Sequence, residues 1–476
     1  MIKKYKNDLN EIISILGELY NNVECVNENE KVLRYLCAKI EDKYLNERMQ
    51  YFKDNVLDLQ KNKLAGIYKD FCKENKCDEC PLAKYCNYNI KNKIKKIDKN
   101  APTMIDLFCG AGGLSLGFTQ SGYVVALAND IEECCIDTYS HNHPEIPRGN
   151  IVCGDINNIL RNINKLKRFE KIDIVVGGPP CQGFSMANRQ RIIDDPRNKL
   201  YKSYVKVVES VKPKFFVMEN VKGMYSVAQQ IKEDFEKIGY KVSCRILNAK
   251  DFGVPQNRER LIFIGNNLGY DNEEILNQIE KKSITIPNFV LKDALYGLRE
   301  LEALKEKNAT EKDTIHSGKK IEKNNSEELN EYLEIINQNK KHRLVFNHKA
   351  RYNNERDIEI FRRLNQGDKS DDPKIADIMP YKNRSDIFKD KYFKLENNKV
   401  CKTITAHMKF DCNMYIHPTQ ARGLTPREAA RVQSYPDDYF FRGAYTKTYM
   451  QIGNSVPPLL GRAIAQVIKK YIRGDK

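Results

Sequence analysis

One thiol stands where chemistry would be placed. Cys181 lies in the run KIDIVVGGPPCQGFS, residues 171–185. Ile172 to Val176 is a short β-branched stretch of the kind that forms a buried strand, and two glycines and two prolines stop it. Cys181 is therefore expected on the loop at that strand's carboxyl end, where open α/β sheets carry their sites. Pro179 and Pro180 stiffen the approach, and Gly183 lets backbone come close to a ligand. A thiolate there is a nucleophile, while the plain alternative is one more buried apolar cysteine. A second apolar run, FFVMENV, ends with Glu219 and puts an acid at the same edge. In QNRER, Arg258 and Arg260 are two apart, which on a strand puts both guanidiniums on one side; a solvated strand end is the alternative for either alone.

A second group of residues suits a nucleoside. MIDLFCGAGGLSLGF, from Met104, is a strand running into a Gly-rich turn and a helix, with Gly110, Gly112 and Gly113 free to turn tightly and approach a ligand. VVALAND, residues 124–130, reads as the next strand and ends in Asp130, about twenty positions after the glycines, as a ribose-binding acid would. VCGDI ends a third strand with Asp155. Each acid alone is an ordinary surface turn. Together they describe a nucleoside-binding edge of a doubly wound sheet.

The third group is FCKENKCDECPLAKYCNYN. Cys72, Cys77, Cys80 and Cys86 are spaced C-x4-C-x2-C-x5-C, four thiols within fifteen residues. Zinc ribbons divide their ligands into two pairs with a longer gap, and this run has none, so one tight loop around a cluster fits better. The run resembles the iron–sulfur loop of helix-hairpin-helix DNA glycosylases, including Pro81 after the third cysteine, although that family's first spacing is longer. A [4Fe–4S] cluster, zinc and unligated thiols all stay open, and the role expected is structural.

These groups need several bodies to carry them. The chain has 476 residues, enough for two or three domains, and 41% of them are hydrophobic. No apolar stretch is long enough to span a membrane, and the charged start MIKKYKNDLNEI lacks a secretory h-region. Fourteen cysteines without a signal fit reduced thiols or metal ligands, hence a cytoplasmic setting. A net charge of +16 favours a polyanionic partner such as nucleic acid. Residues 1–66 have helical periodicity, and 87–102 read as a basic linker ending in Pro102.

By its motifs the chain is similar to the C5 cytosine-specific DNA methyltransferases. DLFCGAGGLSLGF, GGPPCQGFS, ENV, QNRER, RGLTPREAARVQSYPDDY and QIGNSVPPLLGRAIA follow that family's order across about residues 103–473. The resemblance implies an α/β fold: a doubly wound, Rossmann-like S-adenosylmethionine-dependent methyltransferase sheet with a smaller target recognition domain. The divisions implied are a helical N-terminal extension with the four-cysteine loop (1–100), a catalytic domain (103–266), a target recognition region (267–421) and a returning catalytic part (422–473). It implies that S-adenosylmethionine lies across Phe108, Gly110, Gly112 and Leu114, with Asp130 on the ribose, Ile131 beside the adenine, Asp155 and Ile156 at the adenine amino group, and Pro180, Leu200, Asn454 and Ser455 completing the pocket. Ile131 stands where family members often carry a larger residue. The resemblance also implies catalysis by Cys181, Glu219, Arg258 and Arg260 on a cytosine flipped out of duplex DNA. The two arginines would hold the base oxygen, the phosphate and the loop. The setting implied is bacterial, either restriction–modification with a cognate endonuclease as partner or an orphan methylase without one, with the protein a monomer. RNA cytosine methylation is the near alternative, and the recognition region of about 155 residues favours DNA. A non-catalytic DNA-binding protein of the same fold is the alternative from another class.

Four further expectations concern the rest of the chain. Residues 299–341 read as a charged helical, flexible or disordered insertion. Residues 185–201, polar and Arg-rich, read as a mobile lid or a surface loop. Within 382–418, Thr403–His407 and Asn413–His417 read as strand-like pieces. Thr425, Pro426 and Glu428 spell a capped helix start.

Overall fold

The computed structural model describes residues 2–20, 58–74, 76–77, 79–96, 98–161, 171–180, 200–283, 285–326, 328–380 and 391–475. Its central sheet is built from β1 (Thr103–Leu107), β2 (Val124–Asp130), β3 (Ile151–Cys153), β4 (Ile174–Gly177), β5 (Phe215–Val221), β6 (Lys241–Asn248) and β7 (Glu259–Asn266) in the order β3-β2-β1-β4-β5-β7-β6. β1 to β5 are mutually parallel, and β7 runs antiparallel to both β5 and β6. The strands are continuous apolar runs because both faces are covered. Successive residues alternate between two cores. Ile174, Val176, Phe215, Val217, Ile262 and Ile264 face one layer. Val175, Phe216, Met218, Leu261 and Phe263 face the other.

Chain order reverses between the neighbours β1 and β4, so the turn after β1 and the loop after β4 leave the sheet side by side. This is the switch point at which doubly wound sheets open a crevice. Behind the turn, helix Gly113–Gln120 packs on the C-terminal helix Pro458–Arg473. Gly117 lies so close to the backbone of Pro458 and Gly461 that no side chain fits. The end of the chain thereby braces the first helix of the sheet.

The region after β7 departs from its sequence reading. Residues 299–341 contain β8 (Gly318–Lys323) and helix Glu331–Asn337, and β8 pairs antiparallel with β9 (Leu344–Lys349). The charges mask an apolar set, Ile321, Tyr332, Leu333 and Ile336, that is buried. Glu355–Arg363 is an amphipathic helix capped by Asn354, which accepts from the Asp357 amide at 2.8 Å, with Ile358, Phe361 and Leu364 inward. The strand-like pieces at 403–407 and 413–417 are instead irregular backbone and short 3-10 turns, Ala406–Lys409 and Asn413–Tyr415. Their apolar residues are buried by packing, without a ladder.

The N-terminal extension packs on this region. Helices Ile2–Tyr20 and Asp58–Ile67 share an apolar cluster with Ile321, Leu344 and Phe346 of the β8–β9 pair and with Phe440. Residues 87–102, expected as a linker, begin with helix Asn87–Lys95. Asn89 and Ile90 are buried, and Lys93 and Lys95 close its last turn, where cations suit the helix dipole. Among the described residues no helix is long and apolar enough to cross a membrane.

Candidate active site

The edge after β4 and β5 is held together through small groups. Gly178 follows β4, and a Cβ there would lie 2.7 Å from Glu219 Oε2, so only glycine lets the carboxylate stand against this loop. Asn220 Nδ2 donates to the Pro179 carbonyl at 3.0 Å, fastening the loop to β5. Arg260, opposite Val221 in the β5–β7 register, reaches back so that its Nε lies 2.7 Å from Glu219 Oε1. Both side chains are largely buried. Oε1 is thus committed to the cation, and Oε2 faces the backbone of the loop that leads to Cys181. Cys181 itself, with the expected lid, lies outside the described residues; Pro180 before it is exposed.

Arg258 differs from its sequence reading. The strand begins only at Glu259, so period-two spacing does not govern Arg258. Its guanidinium is fully buried and donates to the carbonyls of Ile404 at 2.7 Å, Gly453 at 3.0 Å and Ser455 at 2.8 Å. Burial, then the neighbouring Arg260, hold its pKa well below the usual guanidinium value. With its two terminal nitrogens on backbone, Arg258 joins its own segment to those of Ile404 and of Gly453–Ser455, in place of the contact with base or phosphate that the family resemblance implied. Buried amides extend the joint: Gln256 Oε1 accepts from the Ile404 amide at 2.7 Å, and its Nε2 donates to Gln433 Oε1 at 2.9 Å.

The Gly-rich turn after β1 forms a cradle. Phe108, Gly110 and Gly112 have φ of 55°, 53° and 88°. A Cβ on Gly112 would lie 2.8 Å from the Tyr439 hydroxyl, so this residue must be glycine, whereas Gly110 faces open space. Asp130 sits beneath the turn: its Oδ2 accepts from the Gly110 amide at 2.8 Å and its Oδ1 from the Glu132 amide at 2.8 Å. Burial pushes its pKa up despite these two amides. Ile131, next to it, is 68% exposed, an apolar side chain left bare at the sheet's edge. Leu114 and Ile156 are buried, Leu200 is half-buried, and Asn454 is exposed. Ser455 is buried against Gly113, its hydroxyl bonded to Tyr435 at 2.7 Å. Asp155 stands two residues past β3, where Oδ1 accepts from the Asn157 amide at 2.7 Å and so begins helix Ile156–Arg161. It is exposed at that turn instead of ending the strand.

Sequence reasoning did not single out Asp106, which is buried in β1 with Oδ2 unpaired and its pKa pushed up by burial to about 7. Its place inside an apolar strand was the available signal. Nor did it single out the buried cations of residues 422–442. Arg422 pairs with Glu428 at 2.7 Å, Arg431 with Asp437 at 2.6 Å, and Arg442 with Asp8 at 2.5 Å. The helix start at 425–428 is as its sequence spells: Thr425 Oγ1 accepts from the Glu428 amide at 3.2 Å, and Glu428 accepts from the Thr425 amide at 2.7 Å.

Known proteins are similar to this chain. The model of the C-5 cytosine-specific DNA methylases matches residues 102–470. Type II methyltransferase M1.HphI of Haemophilus parahaemolyticus is 36% identical, over 77% of this chain and 87% of its own length. Type II methyltransferase M.DdeI of Desulfomicrobium norvegicum is 35% identical, over 77% of this chain and 88% of its own. Among solved structures, one described as a DNA modification methyltransferase encoded within an E. coli prophage aligns with a TM-score of 0.61 at 25% identity, covering 78% of this chain and all of that one. Fold, motif order and these likenesses agree, and the chain belongs to the C-5 cytosine-specific DNA methylase family, the S-adenosylmethionine-dependent DNA cytosine-5 methyltransferases.

Proposed function

We propose that this enzyme flips a cytosine out of duplex DNA, attacks its C6 with Cys181 and methylates its C5. The observation that carries the reading is the Glu219–Arg260 ion pair closed against Gly178, three residues before Cys181 in the chain. The cradle also fits S-adenosylmethionine: Gly110 leaves open space, Asp130 offers a carboxylate beside it, and Ile131 offers a bare apolar face. Phe108, Gly112, Leu114, Asp155, Ile156, Pro180, Leu200, Asn454 and Ser455 complete the proposed set.

C5 of neutral cytosine is a weak nucleophile, so the ring must first be made electron-rich. The Cys181 thiolate forms a bond to C6, and the displaced electron pair moves toward C5 and N3. Glu219 delivers a proton to N3, accepts a hydrogen bond from the exocyclic amine and is held in place by Arg260, so the charge that develops on the ring is neutralised; the N3 proton returns to Glu219 when the ring is restored. Arg258 acts at one remove by joining the segments around the pocket. When bound, S-adenosylmethionine supplies a sulfonium-borne methyl group for C5. The C5 proton then leaves to water, its bonding pair restores the ring, and the S–C6 bond breaks with its electrons returning to Cys181.

The setting proposed is a bacterial cytoplasm, with the enzyme working as a monomer and a restriction endonuclease as its counterpart; the Type II relatives support this. Cys72, Cys77, Cys80 and Cys86 are proposed as a metal site, iron–sulfur or zinc. The test of function is transfer of a labelled methyl group to duplex DNA and to tRNA in parallel, with bisulfite sequencing of the DNA. Label on DNA, at cytosines of one short sequence, is expected. Label on tRNA alone would transfer the mechanism to RNA.

A further inference from the structure

The four-cysteine loop is built into the body of the enzyme. Helix Asp58–Ile67 runs into a π-helical turn, Tyr68–Cys72, a departure from α geometry often found at functional positions, and it ends on Cys72. Tight turns then fold 77–86 back, with amide-to-carbonyl bonds from Cys80 to Cys77 at 3.3 Å, Ala83 to Cys80 at 2.9 Å and Cys86 to Ala83 at 3.4 Å. All four thiols are half-buried, and none is in a disulfide. Four half-buried thiols on adjoining turns, none in a disulfide, are a ligand set.

The spacing of the sulfurs distinguishes the candidate ions. Among the described residues, the one group with three ligand atoms within 4.8 Å of one another is Asp8, Glu11 and His141. There Arg442 already binds both carboxylates, at 2.5 and 3.1 Å, which makes it an ion-pair network. No three of the four sulfurs approach that closely. Tetrahedral zinc with bonds of about 2.3 Å needs sulfurs about 3.8 Å apart. A cube of iron and sulfide spreads its four thiolates further.

The loop is also tied to the region past β7. Cys72 and Cys80 pack on the apolar cluster shared with Ile321, Leu344 and Phe346. Arg343, just before β9, donates to Asp70 at 2.9 Å and lies 4.6 Å over the Phe71 ring, directly beside Cys72 in the chain. Lys319 of β8 pairs with Glu18 of the first helix at 2.6 Å, and Lys84 pairs with Asp438 at 3.3 Å. We propose that Cys72, Cys77, Cys80 and Cys86 hold a [4Fe–4S] cluster that staples the N-terminal extension onto the β8–β9 pair. The cluster is structural, and the methyl-transfer chemistry does not pass through it.

The experiment uses full-length protein purified without oxygen, and its readouts do not depend on methylation. Iron and acid-labile sulfide are counted, after reconstitution with ferrous iron and sulfide where the protein arrives depleted. About four of each per chain are expected, with loss of most of both in Cys80→Ala and none in Cys244→Ser on β6. Stoichiometric zinc in place of iron, or no uptake of either after reconstitution, would overturn the cluster. Hydrogen exchange is then compared before and after oxidative removal of the cluster from the same wild-type protein, which needs no folding of a variant. Exchange at 318–323 and 344–349 should accelerate at least tenfold while β4 and β5 stay protected. Unchanged protection of the β8–β9 pair would overturn the staple.

Discussion

At Gly178 one absent methyl group decides whether the acid can stand where it does. Gly178→Ala puts a carbon 2.7 Å from Glu219 Oε2, so the carboxylate must shift. A displacement of about 1 Å in a positioned catalytic group costs roughly 100-fold. The expected outcome is therefore a fall in kcat of that order with little change in Tm, checked by steady-state methylation and thermal unfolding. Arg260→Ala removes the partner of a largely buried carboxylate. Methylation is expected to drop about 100- to 1000-fold while S-adenosylmethionine binding by calorimetry is retained. Arg258→Met should behave differently, because that side chain satisfies three carbonyls and leaves its neighbours unpaired when lost. It should cost about 3 kcal/mol or more of stability, read by denaturant unfolding, before any effect on chemistry is visible. If Arg258→Met unfolds like wild type but fails only in base contact, its positioning role is wrong.

At the scale of elements, the joint between β9 and helix Pro426–Val432 is a buried polar cluster. His348 contacts the Thr425 hydroxyl at 3.2 Å and the Arg299 carbonyl at 2.8 Å, and His417 lies 3.6 Å from Glu428. Burial holds His348 down to about 4 and His417 down to about 3. Glu428 is held below the usual carboxylate range: burial opposes its charge, but Arg422 outweighs it. An unfolded histidine takes its proton near pH 6.5, so below that pH the unfolded chain binds more protons than the native one. Stability should therefore be fully present above pH 6.5 and fall as pH drops toward 3, by on the order of 2 kcal/mol per histidine. His417→Gln should flatten that slope in denaturant titrations at stepped pH; an unchanged slope would remove His417 from the account. This joint was only half legible. The cap at Thr425 could be read because a capping box is local, whereas His348 acquires its meaning from Thr425, seventy-seven positions away, and from the Arg299 carbonyl, forty-nine away. The same divide separates the strands from the rest. β1, β2 and β5 are continuous apolar runs and announce themselves, while 403–417 is apolar because it is buried and makes no ladder. Helix Asn87–Lys95 was hidden by lysines whose aliphatic neighbours Ile90 and Leu82 are covered by another part of the chain.

At the scale of the molecule, one cation gathers the extension and the catalytic body. Arg442 meets Asp8 and Glu11 of the first helix and Asp137 of helix Glu133–Asn142, at 2.5, 3.1 and 3.2 Å. Deleting residues 2–96 would expose the apolar faces of Ile321, Leu344 and Phe346 and leave Arg442 with Asp137 alone. The truncated enzyme is expected to bind S-adenosylmethionine within about threefold of the full chain, because every residue of the proposed cradle lies outside 2–96. Its KM for duplex DNA should rise at least tenfold, measured at saturating cofactor. The glycines after β1 and Glu219 at the end of β5 were legible because each sits in a local pattern, but nothing local says that the extension rests on the β8–β9 pair. The account as a whole turns on a sulfur–carbon bond, and the most direct measurement is trapping on duplex DNA carrying 5-fluorocytosine at the target, with S-adenosylmethionine present. Wild-type enzyme should form a denaturation-resistant complex whose linked peptide contains Cys181, and Cys181→Ser should form none while still binding cofactor. An adduct formed equally well by Cys181→Ser, or none formed by a wild-type enzyme that methylates ordinary DNA, would contradict it.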